Sequence, residues 1–298
     1  MCDGKEIAVT DGVFTMPDGN VEITATFKER VVEKYVDLGL PSGLKWATCN
    51  VGATYPEDYG NYYAWGEVTT KTTYDWSTYK YANGSSTTLT KYNNSSSYGT
   101  VDNKTTLETE DDAATANWSG NWRMPTEAEC QELMDNCTWT WTTLNNVNGY
   151  EIKASNDESI FLPAAGYYYG EELRFAGSDG GYWSSSRSSD TYDPDYAQGM
   201  RFSSDYHYTS NSLRDYGRPV RPVLDPYKLT LTYDTAQGTA TLSQDKAYED
   251  TEITVNVTPS SGYELSSITV NGTAITGNTF TMPDSDVSVV VEFVSSGP

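Results

Sequence analysis

Between Trp183 and Arg218 the sequence intersperses scaffold-type residues, Trp183, Gly199, Met200, Phe202 and Gly217, with side chains suited to recognition. The second set comprises Arg187, Asp190, Tyr192, Asp193, Asp195, Tyr196, Asp205, Tyr206, His207, Tyr208, Asn211, Asp215 and Tyr216. Tyrosine offers a large amphipathic contact at low entropic cost, while Asp, Asn and Ser add adaptable hydrogen bonds, the mixture that antibody combining sites favour. The chemistry this composition supports is non-covalent binding. Taken singly, Asp, Ser and Tyr also fill solvated turns; their density in one window is what marks a binding face.

Covalent chemistry finds less support. His207 is the one histidine of the chain, and a Ser or Cys nucleophile needs an oriented base beside it, so His207 reads as a surface contact. There is no Gly-rich phosphate loop with its Lys, no His-Glu-x-x-His and no spacing of metal ligands. Asp193-Pro194-Asp195 lacks the spacing of a calcium loop and reads as a turn. The expectation is a protein that is not an enzyme and carries no metal or cofactor. Arg218 and Arg221, in GRPVRPV, read as structural anchors through salt bridges or carbonyl contacts.

The chain of 298 residues has a formal net charge of −23, a field that repels phosphate backbones and anionic lipid. Nucleic acid and membrane surfaces are therefore not expected partners, and no run approaches the roughly 20 apolar residues of a bilayer span. The apolar fraction is 37%, but 8 Trp and 24 Tyr, with apolar residues alternating in short runs, argue against disorder. Cys2, Cys49, Cys130 and Cys137 show no C-x-x-C spacing; inert buried thiols are the preferred reading, and a Cys49 to Cys137 bridge the sharper alternative.

The elements that must hold the binding window lie between two copies of a repeat. GVFTMPDGNVEITATF (12–27) returns as NTFTMPDSDVSVVVEF (278–293), and in each copy alternate apolar residues such as Val287, Val289 and Val291 line one face of a strand. The later copy extends back through KLTLTY, GTATLS, EITVNVTP and SSITVNGT, so a unit of about five short strands fills 227–294, whereas residues 1–30 hold only the second half of such a unit. The natural protein is expected to continue upstream. The segment 35–224 between them is the expected ligand-binding domain. Within it YVDLGLPSGLKWATCNVGA predicts a hairpin, 68–106 a long polar excursion with little regular structure, and 111–118 a short helix. Thr126 with Glu129 forms a capping box that opens a second helix to about Asn136, and strands return after Ile160. The expected fold class is α+β, strands around two helices, followed by an all-β unit.

GNWRMPTEAECQEL (120–133) resembles a stretch of the formylglycine-generating-enzyme-like branch of C-type-lectin folds, with Cys130 where that family has Trp. From YVDLGLPSGLKWATCNVGA through NYYAWGE and NCTWTW to GYWSSS and GRPVRPV, the segment resembles the Fibrobacter succinogenes major paralogous domain of gut Bacteroidetes surface proteins. YKLTLTYD, GYELSSITVNG and TFTMPDSDVSVVVEF resemble divergent internalin B-type repeats of the β-grasp or immunoglobulin-like kind. These resemblances imply an extracellular or outer-surface, adhesin-like protein with a C-type-lectin-like domain, binding a protein or glycan on another cell or host surface. Similarity to the variable proteins of diversity-generating retroelements implies a binding face rewritten by adenine-directed mutagenesis. The calcium-lectin triplets Glu-Pro-Asn, Gln-Pro-Asp and Trp-Asn-Asp are absent, and so is the late cysteine pair that holds copper in the formylglycine-generating enzymes. A fixed carbohydrate-binding lectin and a stalk module without a ligand are the alternatives.

Overall fold

Short runs of Thr, Val, Tyr and Trp, broken every few residues by Gly, Asn, Asp or Ser, pair into sheets over most of the described residues after Trp122. The computed structural model describes residues 34–189 and 193–297. The half repeat expected over 1–30 lies outside the described residues, as do Cys2, Asp190 and Tyr192.

In chain order the first lobe holds β1 (Tyr35–Val36), β2 (Lys45–Ala47), α1 (Ala113–Asn117), β3 (Trp122–Arg123), α2 (Glu127–Asn136), β4 (Thr138–Leu144), β5 (Val147–Lys153) and β6 (Ser159–Pro163). It continues with β7 (Tyr167–Tyr169), β8 (Glu172–Arg174), β9 (Asp179–Arg187), β10 (Tyr196–Ser203), β11 (Tyr206–Leu213) and β12 (Val223–Leu224). The second lobe holds β13 (Tyr227–Tyr233), β14 (Gly238–Leu242), β15 (Lys246–Ala247), β16 (Glu252–Pro259), β17 (Tyr263–Val270), β18 (Thr273–Ala274), β19 (Thr279–Thr281) and β20 (Val287–Ser295).

The α+β expectation is thereby corrected: the protein is mainly β. Both expected helices form, but α1 has 5 residues and α2 has 10, too little to make a helical layer. The capping box is present, with the Thr126 side chain on the Glu129 amide and the Glu129 carboxylate on the Thr126 amide. Directly after α2 the chain alternates Thr and Trp through Thr138–Leu144, a β-branched and aromatic pattern that favours strand over helix. Asn145 and Asn146, both at left-handed φ, then close the β4–β5 hairpin in a two-residue turn. Thr126→Ala is expected to cost about 1 kcal/mol of stability, read from urea unfolding; an unchanged midpoint would contradict the cap's role.

In the first lobe β1-β2-β12-β3, β4-β5-β6, β9-β10-β11 and the β7–β8 hairpin form separate small sheets. The excursion 68–106 has little regular structure, as expected, beyond one 3-10 turn at Ser96–Tyr98. Its tyrosines and Leu89 nonetheless build the core: Tyr74, Tyr79, Leu89 and Tyr92 are buried with Trp65 and Trp183. Buried hydroxyls and indoles need partners, and backbone carbonyls supply them. Tyr74 donates to the Tyr62 carbonyl (2.7 Å), Tyr79 to that of Trp65 (2.8 Å), and Trp183 Nε1 to that of Tyr63 (2.8 Å). A second core of Leu38, Trp46, Cys130, Leu133, Ile152, Leu162, Tyr182, Met200 and Phe202 packs α2 against β5, β9 and β10.

The second lobe is the expected strand-rich unit, with β20 pairing parallel to β13 and antiparallel to β17. Val287, Val289 and Val291 alternate into its core beside Leu229, Ile253 and Ile268. The lobes meet across Asp225 and Pro226. Tyr248 donates to the carbonyls of Gly43 (2.8 Å) and Leu224 (3.2 Å), and Lys45 Nζ lies between the rings of Tyr35 (5.0 Å) and Tyr248 (4.3 Å). Arg123 forks onto Asp225 at 2.8 and 2.9 Å.

Candidate functional site

Successive side chains of a strand point to opposite faces of its sheet, and directly paired residues share a face. Arg201 pairs with Tyr208 on one side and Gly181 on the other, and Ser203 pairs with Tyr206 and Asp179. Asp179, Gly181, Arg201, Ser203, Tyr206 and Tyr208 therefore share one face of the β9-β10-β11 sheet. His207 pairs with Phe202 and Asn211 with Gln198, which puts both on the other face. There His207 stacks on Trp139, ring centroids 4.8 Å apart and planes at 3°, and partial burial lowers its pKa.

The expected set is thus divided. Tyr206 and Tyr208 lie together, centroids 5.3 Å apart, with Tyr208 44% exposed and Asp205 exposed in the adjoining turn. Arg187 is buried, its Nε donating to the Lys104 carbonyl (3.2 Å), and belongs to the scaffold. Asp195 and Asp215 are buried, Tyr196 is half-buried and Asp193 exposed. Asp215 Oδ1 has no hydrogen-bond partner, and burial pushes its carboxyl up to about 7.

Tyr216 joins a group of rings that the sequence window did not include. It stacks on Tyr167 (5.3 Å, 2°) and meets Tyr169 edge-on (5.3 Å), while Tyr167 also meets Phe175 (5.8 Å). The β7–β8 hairpin carries this group. Tyr168 pairs inward with Leu173 and packs on Tyr62 and Tyr74, so its neighbours Tyr167 and Tyr169 turn outward. Bridges from Tyr168 to Gly217 and from Gly166 to Gly180 join the hairpin to the start of β9 and to the segment after β11. Tyr169 and Phe175 are 43% and 55% exposed, large apolar groups left open to solvent on the side of the hairpin that Tyr216 also faces. The signal available was GYYYGEELRF, a Tyr triplet in which alternation puts the first and third rings on one face and the second on the other.

Between the two ring groups lie the charges. Arg201 donates to Asp179 Oδ2 (3.3 Å) and so does Tyr206 (3.1 Å). Arg218 sits over Trp183 (4.9 Å) and 5.7 Å from the Tyr167 ring, and a Cβ at Gly181 would come within 3.1 Å of its Cζ. The guanidinium rests on a glycine that only a missing side chain leaves open. Burial, with Arg201 adding to it, pushes Arg218 down to about 10. Arg221 makes the carbonyl contacts expected of an anchor; Arg218 makes none of that kind among the described contacts.

Other groups are committed elsewhere. Glu108, Glu110 and Asp111 converge within 4.8 Å, but Lys91 reaches all three and Lys80 reaches Asp111. Burial opposes the Asp111 charge, yet hydrogen bonds from Lys91, Tyr81, Tyr92 and Lys80 hold it down to about 2; the cluster is a structural ion-pair network. Cys49 and Cys130 are buried and Cys137 half-buried, all three unbridged, and burial raises each thiol above its usual range. A cleft of about 610 Å³ between the lobes is lined by Trp122, Arg123, Asp225, Lys228, Lys246 and Asp286 among others.

The comparisons with known proteins bear on the two lobes separately. Residues 227–297 match a divergent InlB B-repeat domain, and residues 127–223 match a domain of unknown function, DUF8237. The repeat supports the sequence reading of the second lobe and points to a surface or structural module. No curated protein and no solved structure matches the chain. Among the described residues no helix is long and apolar enough to cross a membrane.

Proposed function

We propose that the chain is a display module of a bacterial surface protein, in which the β repeat of 227–297 carries a lobe whose open tyrosine face binds a ligand without covalent chemistry. The observation that carries this reading is the pair of ring groups, Tyr167, Tyr169, Phe175 and Tyr216 on one side and Tyr206 and Tyr208 on the other, of which Tyr169, Phe175 and Tyr208 are exposed. Rigid rings bind at low entropic cost, and central aromatic and Arg side chains supply most of the energy of protein recognition surfaces. A match to a bacterial repeat of the internalin type supports an outer-surface setting, and the resemblance of 35–224 to C-type-lectin-like surface domains supports a ligand from another cell or host surface, protein or glycan. Catalysis is no part of the proposal, since His207 stands on the face opposite the tyrosines.

A diversified face is the finer form of this reading, and burial narrows it. Arg187, Asp195 and Asp215 sit inside the lobe, which leaves Tyr206, His207, Tyr208, Asn211 and the turns beside them as positions that can change freely. Deep sequencing of the locus in its source population is expected to place substitutions there; an invariant window with no template copy nearby would sink diversification and leave a fixed binding face. The tight joint at Tyr248 and Arg123 favours, as a second reading, a stalk without a ligand. Oxidative footprinting of the protein on a glycan-coated or cell surface separates the two. The ligand-binding reading expects Tyr169, Phe175 and Tyr208 to be protected while Tyr263 of the repeat stays reactive; equal reactivity bound and free would support the stalk.

A further inference from the structure

The β9-β10-β11 sheet has one covered edge and one open edge. Along β9 the outer amides of Trp183, Ser185 and Arg187 donate to the carbonyls of Pro219 (3.2 Å), Pro125 (2.8 Å) and Thr105 (2.8 Å). β11 is the other edge. In β10 the carbonyls of Tyr196 and Gln198 are met from the β9 side, by the Ser188 amide (3.1 Å) and the Ser184 hydroxyl (2.8 Å). The N–H and C=O of one residue in an antiparallel ladder point the same way, and the direction alternates along the strand. Tyr196 pairs with Leu213 and Gln198 with Asn211 in an unbroken register, so the main-chain groups of His207, Thr209 and Asn211 point away from β10. Among the described residues none of these three forms a main-chain hydrogen bond to another element. The Asn211 carbonyl is met by the hydroxyls of its own neighbours, Ser210 (3.2 Å) and Ser212 (2.9 Å). Helix α2 touches the strand on a face, where the Thr209 hydroxyl donates to Gln131 (3.1 Å), and His207, Tyr208 and Asn211 stay exposed.

Natural sheets guard a free edge with charge, Pro, a bulge or a covering element. The 8 residues of β11, YHYTSNSL, hold no Lys, Arg, Asp, Glu or Pro, and their register with β10 has no bulge. In a chain of formal net charge −23, a neutral strip is where two copies can touch without like charges meeting. The strip also complements itself. About a two-fold axis at Thr209, an antiparallel pair sets His207 against Asn211 and Thr209 against Thr209, and these pairs exchange about six main-chain hydrogen bonds. On the tyrosine face Tyr206 then stands opposite Ser212 and Tyr208 opposite Ser210, large against small, while the two Thr209 side chains form a favourable cross-strand pair. The Asp205 carboxylates fall at opposite ends of the joint, roughly 26 Å apart at about 3.3 Å per residue, well beyond the screening length of about 8 Å. We infer that β11 is a self-association edge, through which two copies of the chain join their three-stranded sheets into one. Both tyrosine faces then lie side by side, so a surface carrying many ligands meets two sites at once. The joint is independent of the binding face proposed above.

Sedimentation equilibrium of the full chain is expected to show monomer and dimer in exchange, with a Kd of about 100 μM or tighter. Thr209→Lys puts a charge at the axis, and Thr209→Pro removes an outward N–H while sparing every bond to β10. Each variant, checked for wild-type urea unfolding, is expected to weaken the dimer at least 10-fold. Hydrogen exchange of the wild type at low and high concentration gives a reading that needs no variant: the amides of His207, Thr209 and Asn211 slow as the dimer forms. A monomer mass at every concentration up to about 100 μM overturns the inference. So does a dimer that neither substitution weakens, or one whose newly protected amides lie outside β11. None of these results touches the tyrosine face, because Thr209 lies on the opposite side of the sheet and ligand binding is read separately on glycans and cells.

Discussion

Replacing Arg221 with alanine is expected to lower the unfolding free energy by about 3–5 kcal/mol, among the largest effects of any single change outside the aromatic cores. Arg221 is 0% exposed. Its Nε donates to Asn50 Oδ1 (2.9 Å), Nη1 to the Ala47 carbonyl (3.1 Å) and Nη2 to the Phe161 carbonyl (3.0 Å). Asn50, itself buried, passes the connection on through Nδ2 to the Tyr59 carbonyl (2.9 Å) and the Tyr182 hydroxyl (3.2 Å). One side chain thus ties β2, the middle of β6, β9 and the return segment before β12. Alanine would strand three acceptors without water, and lysine could recover only part of the fork. Urea unfolding measures the change; a loss below about 1 kcal/mol would show that the lobe tolerates these orphans.

The second large effect depends on pH. Asp215 is 2% exposed, and burial pushes its carboxyl up to about 7. Because the folded pKa is raised, the native state binds more protons than the unfolded state between about pH 4 and 7, so stability falls as pH rises through that range. Below about pH 4 both states are protonated and the group contributes nothing; above about pH 7 the penalty is complete, up to about 4 kcal/mol. Asp215→Asn removes the ionisation while keeping the shape. The variant is expected to be more stable than wild type by about 2–4 kcal/mol at pH 8 and equal to it at pH 4. A stability difference that does not change between these pH values would contradict a buried, late-ionising Asp215.

How much of this was legible in the sequence depends on the range of the interaction concerned. The capping box of Thr126 and Glu129, the β1–β2 hairpin and the alternating strands of the repeat are local patterns, and each appears where its residues place it. The fold class departs from the α+β expectation because its two helix signals are clear but short: 5 and 10 residues cannot form a layer against so many strands. The excursion 68–106 is polar by composition, yet it supplies core tyrosines because their hydroxyls find carbonyls that only the tertiary fold brings near.

The candidate face shows the same division. A window of Tyr and Asp was visible, but alternation across β11 sends His207 and Asn211 away from Tyr206 and Tyr208, and burial withdraws Arg187, Asp195 and Asp215. Asp179, Arg201 and the hairpin rings Tyr167 and Tyr169 were not singled out, since nothing local joins residue 167 to residue 208. The Gly166–Gly180 and Tyr168–Gly217 bridges make that connection, and bridges of this kind leave no periodic trace.

The central claim is that the open tyrosine face is the binding surface. Its most direct test compares labelled wild type with Tyr169→Ala/Tyr208→Ala, and with Tyr263→Ala on the exposed edge of the repeat as a control, on one panel of glycans and intact cells. Both rings are more than 40% exposed, so the double variant is expected to fold normally. The account predicts that binding falls at least 10-fold in the double variant, about 1.4 kcal/mol or more, and stays at the wild-type level in the control. Binding that survives the double substitution, or that is lost with Tyr263, would contradict it.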